Sequence, residues 1–360
     1  MAYVLSSRPS LCRDSRVPVQ FRWMVAAVAL LLMALQLAPA SATSVDSDPP
    51  TTSRILDRQQ VIARFADADS RFTDIDGVQV HYKDQGRGPV VLLIHGTLGD
   101  VADWDGWVAV LARHRRVLRI DLPGFGLTGP LSSGNYSTAR LLDLIDAFMD
   151  QMGVERFSLA GISYGGLVSF RYAATRTERV DALILINSAG VETGKPPPRA
   201  VAAGSSPAAS APSSASIFRD TVITAADIER NLLHMLVEPD RLSSSMVARK
   251  LAFANIAGRG EESIAGRTLY ERGDPMRVLG HVRAPTLVLW GGGNRALTPA
   301  TADLFVSGLR HACDAERVVY PDAGHLLIVD QPQRSAADAL KFLQRVEAGA
   351  PCRSVRAAAP

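Results

Sequence analysis

The chain carries the pentapeptide Gly-Ile-Ser-Tyr-Gly at residues 161–165, which has the pattern G-x-S-x-G. A largely apolar run, residues 156–160, comes directly before it, and a helical stretch begins at Gly166. This pattern is typical of a serine on a sharp turn between a strand and a helix, where small residues let the two elements approach closely. The helix N-terminus then directs its N–H groups at the same point. We therefore predict that Ser163 is a nucleophile.

Further strands are predicted on both sides of this turn. Continuous apolar runs suit strands that are buried on both faces of a parallel sheet, and they occupy residues 89–94, 116–120, 157–160, 182–186 and 286–290, with a weaker run at 317–320. Before them, a hairpin signal at Asp76-Gly77 indicates an antiparallel pair. Helical periods alternate with the runs, as in Leu141, Leu144, Ile145, Phe148 and Met152. The alternation predicts an α/β fold with a mostly parallel, doubly wound sheet.

The domain organisation follows from changes in composition along the 360 residues. We predict a signal peptide or membrane anchor (1–42), a linker and short helix (43–69), the first part of the core (70–191), a flexible Pro/Ala/Ser segment with a helical cap (192–280), the second part of the core (281–347) and a disordered tail (348–360). The inserted cap is expected to cover the strand ends, where ligands bind in such sheets. The alternative is a surface excursion with no role in substrate binding.

The N-terminal segment resembles a secretory signal. Residues 23–38 are apolar except for Gln36, four arginines precede them, and small residues follow up to Ala42. This order is typical of a signal peptide cleaved after Ala42, with a retained membrane anchor as the alternative. We expect the protein to be exported, either to the periplasm or by secretion. If the N-terminal segment is retained, we expect it to anchor the protein in a membrane.

Charge and motifs limit the range of partners. Residues 1–42 hold a net charge of +3, which equals the excess of the whole chain, so the remainder is near neutral and lacks the basic patch of a nucleic-acid-binding protein. A G-x-G-x-x-G pattern at 124–129 continues as loop instead of opening a helix, and no metal-binding spacing is present. We expect a small-molecule substrate, no nucleic acid, no metal and no cofactor. Cys313 and Cys352 either pair or remain unpaired thiols.

Several stretches together resemble the α/β-hydrolase fold family, over roughly residues 70–345. They are His-Gly-Thr at 95–97, Asp-Leu-Pro-Gly-Phe-Gly-Leu-Thr at 121–128, the serine pentapeptide, and Gly-His at 324–325 with Asp-Gln-Pro at 330–332. Members of this family place the nucleophile, the acid and the histidine in that order along the chain. The resemblance implies an α/β-hydrolase fold and hydrolysis through Ser163.

The resemblance also assigns the base and the oxyanion donors. A serine hydroxyl needs a base to remove its proton, and His325 lies in the loop before the last helix, where the family's base lies. The backbone N–H groups of Thr97 and Tyr164 correspond to the family's oxyanion hole. His95 is expected to brace the loop that carries Thr97, instead of transferring protons.

The third position of the triad departs from the family pattern, because the expected aspartate falls on Asn294. The other position used in this fold, after the preceding strand, reads Asn-Ser-Ala-Gly at 187–190. An amide oxygen can accept a hydrogen bond from the imidazole, but in serine proteases the Asp→Asn change lowers turnover about 10⁴-fold. Glu192 is a candidate displaced acid. Asp322 and Asp330 are expected to hold the loop that carries His325, which we call the histidine loop. We interpret Asn294 as the residue that orients His325.

Three functions are compatible with this pattern. The first is an exported, cofactor-free serine hydrolase that acts on a small, mostly apolar ester or related carbonyl compound through an acyl-enzyme at Ser163. The second is hydrolysis of a carbon–carbon bond in a ring-cleavage product. The third is a noncatalytic ligand-binding descendant, because Asn294 takes the acid position. A serine nucleophile argues against the dehalogenase and epoxide-hydrolase branches, which use a carboxylate.

Overall fold

One sheet organises the computed structural model, which describes residues 55–191, 223–260 and 273–349. The described strands are β1 Arg71–Ile75, β2 Val78–Gln85, β3 Val90–Ile94, β4 Arg116–Ile120, β5 Phe157–Ile162, β6 Val180–Ile186, β7 Thr286–Gly291 and β8 Ala315–Tyr320. They form one eight-stranded sheet in the order β1-β2-β4-β3-β5-β6-β7-β8. β2 is antiparallel to both of its neighbours, β1 and β4, and strands β3 to β8 run parallel to one another. The predicted α/β fold with a mostly parallel sheet is confirmed.

Helices cover both faces of this sheet. The described helices are α1 Arg58–Phe65, α2 Asp105–Leu111, α3 Thr138–Gln151, α4 Tyr164–Thr175, α5 Ala225–Met235, α6 Ser244–Ala254, α7 Pro275–Leu279, α8 Pro299–Gly308, α9 Leu327–Asp330 and α10 Pro332–Glu347. In β3, Leu92 and Ile94 pack in the cluster that contains the apolar face of α3, whereas Val91 and Leu93 pack with Trp107 in the cluster on the other face. Alternate residues of one strand therefore supply both layers, as the period of two along a strand requires.

The predicted helix around residues 141–152 is present as α3. Ser137 is its N-cap, and the serine side chain accepts a hydrogen bond from the Arg140 amide. Leu144, Ile145 and Phe148 are fully buried on the face that contacts the sheet. An amphipathic period of 3.6 residues thus turns one face of the helix toward the core.

Between β6 and β7 the described residues include two helices, α5 and α6, which we call the cap. Ile228 and Leu232 of α5 pack with Leu251 of α6 in a small apolar cluster. α7 also falls within the predicted range 192–280, yet its Leu279 packs in the main core. Residues 192–222, with the predicted flexible segment and Glu192, and residues 261–272 lie outside the described residues.

Two further predictions concern the ends of the chain. Within the described residues, every helix is too short or too polar to cross a membrane. The apolar run at 23–38, which is predicted to be a signal or anchor, lies outside the described residues. Cys313 is disulfide-bonded, and the other two cysteines of the chain, Cys12 and Cys352, also lie outside the described residues.

Candidate active site

Ser163 stands on the turn between β5 and α4. Its backbone has φ 55° and ψ −119°, a positive-φ conformation that is strained for a residue with a side chain. The flanking glycines make the turn possible: a Cβ on Gly161 would lie 2.3 Å from the Gly165 carbonyl oxygen, and a Cβ on Gly165 would lie 2.3 Å from the Ile94 carbonyl oxygen. The G-x-S-x-G pattern therefore has a steric cause, since only glycine fits at these two positions.

The loop after β3 lies against this serine. A Cβ on Gly96 would lie 3.0 Å from the Ser163 Cβ. His95 is fully buried, its Nε2 accepts the Leu122 N–H at 3.0 Å, and its Nδ1 lies 2.7 Å from the Gly96 carbonyl oxygen. These bonds assign the proton to Nδ1 and hold the loop to the segment after β4. His95 braces the loop, in agreement with the prediction.

Ser163, His325 and Thr97 line one cavity of about 60 Å³. The structure thus brings together residues from three distant parts of the sequence at the carboxyl end of the parallel strands. Most of the remaining wall is apolar, with side chains of both core and cap: Leu98, Ile162, Leu232, Met235, Leu326 and Ile328. Such an apolar cavity with a few polar groups is typical of a small-molecule site.

Tyr164 is placed differently from Thr97. It is the first residue of α4, so its amide belongs to the N-terminus of that helix, directly beside Ser163. Its ring packs against Phe125 with centroids 6.3 Å apart, and its side chain is not part of the cavity wall. Tyr164 can therefore contribute a backbone donor, with its side chain serving to pack the neighbouring loop.

His325 is buried in the loop between β8 and α9, with 8% of its surface exposed. Burial, together with the charge of nearby His234, lowers the pKa of His325 to about 4. The imidazole is therefore neutral near pH 7, which is the form that a general base requires. Its Nδ1 has no hydrogen-bond partner among the described residues.

Asn294 is buried in the loop after β7, beside the histidine loop. The two loops are joined by the bond from the Gly293 amide to the Ala323 carbonyl oxygen, 2.9 Å long. The Asn294 Oδ1 accepts the amides of Ala296 and Leu297, both at 3.0 Å, and its Nδ2 has no hydrogen-bond partner among the described residues. The Asn294 oxygen is therefore engaged within its own loop instead of on His325.

Comparison with known proteins identifies the family. Residues 89–332, more than half of the chain, match the model of the alpha/beta hydrolase fold. The chain belongs to the α/β-hydrolase fold family. Among solved structures, this α/β-hydrolase is similar to a membrane phospholipase A (TM-score 0.64, 23% identity, covering 91% of this chain and 99% of the other). It is also similar to a serine hydrolase involved in carbazole degradation (TM-score 0.63, 22% identity, covering 76% and 98%).

Curated relatives of this α/β-hydrolase have several activities. A 2-hydroxy-6-oxo-6-(2'-aminophenyl)hexa-2,4-dienoic acid hydrolase of Metapseudomonas resinovorans is 24% identical over 76% of this chain and 91% of the relative. The dihydrolipoyllysine-residue acetyltransferase component of the acetoin cleaving system of Pseudomonas putida is 32% identical over 72% of this chain. The chain spans only 64% of that relative's length. The family and the hydrolase relatives support hydrolase activity.

Asn187 has a structural role that its sequence position did not reveal. It lies fully buried after β6 with φ 42°. Its Nδ2 donates to the carbonyl oxygens of Gly324 and His325 at 3.0 and 2.8 Å, and its Oδ1 accepts the Gly291 amide at 3.0 Å. Asn187 therefore ties the end of β7 to the histidine loop of this α/β-hydrolase. The only signal in the sequence is its position directly after a core strand.

Asp330 joins the same loop to the cap. This fully buried carboxylate accepts the Gly324 amide at 2.7 Å and the amides of Val237 and Glu238 at 3.2 and 3.1 Å. Asp322, by contrast, contacts Arg334 at the surface. The prediction that Asp330 holds the histidine loop agrees with these bonds, and its link to the cap is an additional finding.

A second series of Ser, His and Asp side chains lies away from the cavity. The His81 ring nitrogens lie 3.0 Å from the Ser70 Oγ and 2.7 Å from the Asp121 Oδ2. Asp121 also accepts the Val101 and Leu127 amides, both at 2.8 Å. Because Asp121 holds the loops after β3 and β4 together, we assign this series to structure. Among the described residues, no group of metal-ligating side chains is arranged to hold a metal ion.

Proposed function

We propose that this α/β-hydrolase is a cofactor-free serine hydrolase that cleaves a small, mostly apolar ester or related carbonyl compound through an acyl-enzyme at Ser163. The observation that carries the proposal is the shared cavity: Ser163, His325 and the Thr97 loop line the same largely apolar space. Strain at the serine turn adds support, because strained backbone conformations concentrate at functional sites.

The proposed reaction has two halves. The Ser163 Oγ attacks the substrate carbonyl carbon and gives its proton to the Nε2 of His325, while the backbone amides of Thr97 and Tyr164 bind the oxyanion. His325 then returns the proton to the departing alcohol, which leaves an acyl group on Ser163. Water, deprotonated by His325, attacks this acyl group and releases the acid and the free serine.

The surroundings of His325 indicate slow turnover. In the first half-reaction the imidazole becomes an imidazolium, and a triad carboxylate normally stabilises that charge. Here burial lowers the pKa of His325 to about 4, and the oxygen of Asn294 is bonded within its own loop. We therefore propose that His325 is a weak general base, and we expect turnover rates well below those of complete Ser-His-Asp enzymes.

Substrate size is proposed from the cavity. We propose a short acyl group, because the cavity volume is about 60 Å³. The second candidate function, hydrolysis of a carbon–carbon bond in a ring-cleavage product, is favoured by the relative from Metapseudomonas resinovorans. Both reactions use Ser163, so the substrates distinguish them.

The decisive experiment measures turnover of chromogenic acyl esters of graded chain length and of ring-cleavage-type diketones. We expect the native protein to prefer short acyl chains, and Ser163→Ala to reduce the rate at least about 10³-fold because the nucleophile is lost. Ser307→Ala, at an exposed position on α8, is the matched control and should keep the native rate. A fluorophosphonate should label Ser163 covalently.

The outcomes separate the candidates. Turnover of diketones but not esters would favour carbon–carbon bond hydrolysis. Equal background rates from the native protein and Ser163→Ala on every substrate, with no fluorophosphonate label, would favour a noncatalytic ligand-binding protein and refute the enzyme proposal.

We further propose that the protein is exported, on the strength of the charged, apolar and small-residue order of residues 1–42. Expression with fractionation and N-terminal sequencing tests this location. A new N-terminus after Ala42 in the exported fraction would indicate cleavage, a full-length chain in the membrane fraction would indicate an anchor, and a full-length chain in the cytosol would contradict export.

A further inference from the structure

Four charged side chains join the cap to the loop that carries Thr97. We call them the cap–loop cluster: Asp100 and Asp103 follow β3, and Arg249 and Lys250 belong to α6. Asp100, Asp103 and Lys250 are all buried, with 1%, 8% and 4% of their surfaces exposed. Buried charges are costly unless they are paired, so a cluster of two acids and two bases in this place requires an explanation.

The ammonium of Lys250 is saturated by this loop. Its Nζ donates to the Leu98 carbonyl oxygen at 3.0 Å, to the Asp103 Oδ1 at 2.8 Å and to the Asp100 Oδ2 at 3.3 Å. An ammonium has three N–H donors, and three acceptor groups surround it. Lys250 lines the cavity, but it has no donor left for a substrate group. This argues for a role in holding the loop instead of binding ligand.

The loop that Lys250 holds is itself strained. Leu98 has φ 61°, in the left-handed region that a side-chain-bearing residue rarely adopts. Such a conformation persists only where its surroundings impose it. Leu98 follows Thr97 directly, so the orientation of the Leu98 peptide is coupled to the position of the Thr97 amide.

Electrostatics keep the cluster together. Burial by itself would raise the pKa of Asp100, but the charges of Lys250 and Arg249 hold that pKa well below its ordinary value. Burial would likewise lower the pKa of Lys250, whereas the charges of Asp100 and Asp103 raise it. Burial raises the pKa of Asp103, and Lys250 opposes this shift. Lys250 is therefore charged near pH 7.

We propose that Lys250 is a positioning residue for the oxyanion hole: it fixes residues 96–100 against Ser163, so that the seating of the cap determines where the Thr97 N–H points. The catalytic part of this inference rests on the proposed serine hydrolase function. The structural part, that Lys250 holds the loop, stands independently of any turnover.

The kinetic test replaces the ammonium. Lys250→Met should lower kcat about 10- to 100-fold with KM within about 3-fold, because a misplaced oxyanion donor weakens binding of the transition state more than of the substrate. Lys341→Met, at an exposed position on α10, is the matched control and should retain native kinetics. The double variant Lys250→Met/Asp103→Asn removes one charge of each sign, so it is expected to fold even if the single variant does not, and it should show the same loss of kcat.

A second measurement does not depend on activity. Amide hydrogen exchange in the double variant should accelerate at residues 96–103 and stay native-like at the core strand 157–162. If exchange at 96–103 and kcat both remain native in a folded variant, the inference is wrong. A lower melting temperature with native kcat would also overturn it, because Lys250 would then only stabilise the fold. If the native protein shows no Ser163-dependent turnover, the proposed function fails, while hydrogen exchange still decides whether Lys250 holds the loop.

Discussion

Two buried side-chain nitrogens bear on how His325 could act as a base. The Nδ1 of His325 and the Nδ2 of Asn294 are both buried, and neither has a hydrogen-bond partner among the described residues. They belong to adjacent loops that share a backbone hydrogen bond. In a complete triad a carboxylate oxygen accepts the Nδ1 proton, which fixes the tautomer that leaves Nε2 free to take the serine proton.

Asn294→Asp should therefore improve the enzyme. One carboxylate oxygen would keep the bonds to the Ala296 and Leu297 amides, and the other would replace the unpartnered Nδ2. We expect kcat to rise at least about 10-fold, because the carboxylate stabilises the imidazolium. The same charge raises the pKa of His325, so the acidic limb of the kcat/KM profile, expected near pH 4 in the native protein, should move upward.

The control for this prediction is Asn135→Asp, which adds the same charge in an exposed loop and should leave the rate and the acidic limb unchanged. If Asn294→Asp behaves like this control in Ser163-dependent turnover, residue 294 does not occupy the acid position.

Between elements, the histidine loop is attached in two directions. Asn187 attaches it to the ends of β6 and β7, and Asp330 attaches it to the chain that leaves α5. The cap is thus connected to the core at two loops of the candidate site: at the His325 loop through Asp330 and at the Thr97 loop through Lys250. Movements of the cap are expected to affect the base and the oxyanion hole together.

Asp330→Asn tests the first of these connections. An amide at this position would turn an N–H donor toward backbone N–H groups, so at least one buried amide would lose its acceptor, at a cost of about 1–3 kcal/mol. We expect the free energy of unfolding in urea to fall by that amount. Asp322→Asn removes a surface carboxylate of the same loop and should change it by less than about 0.5 kcal/mol. Equal effects of the two variants would contradict the assignment.

At the scale of the whole molecule, lowering the pH is expected to destabilise the folded protein through protonation of His325. Its pKa is about 4 in the folded chain and ordinarily 6.5, so between these values the unfolded chain binds more protons than the folded one. The free energy of unfolding should therefore decrease as the pH falls from about 6.5 to about 4. Chemical denaturation across this range, on the native protein and on His325→Gln, measures the contribution. A slope that survives the replacement unchanged would show that His325 does not cause it.

Local chemistry made much of the fold predictable from the sequence. The apolar runs correspond to buried parallel strands, and the period of α3 placed one of its faces in the core, because backbone geometry imposes these repeats on any chain. The serine turn could also be predicted from the sequence, because the clashes that exclude a Cβ at Gly161 and Gly165 involve residues close in sequence and the adjacent strand. These features depend on neighbours in sequence or on general packing.

The α/β sheet and the serine turn could thus be predicted from local patterns in the amino-acid sequence, and the candidate base from the family resemblance. The roles of Asn187, Asp330 and Lys250 depend on the folded chain, because their partners lie 137, 93 and 152 residues away in sequence. A buried amide, carboxylate or ammonium bonds whichever donors and acceptors the folded backbone places beside it, and no periodicity or composition specifies those neighbours. The chemical roles of these polar side chains exist only once the cap and the loops have come together.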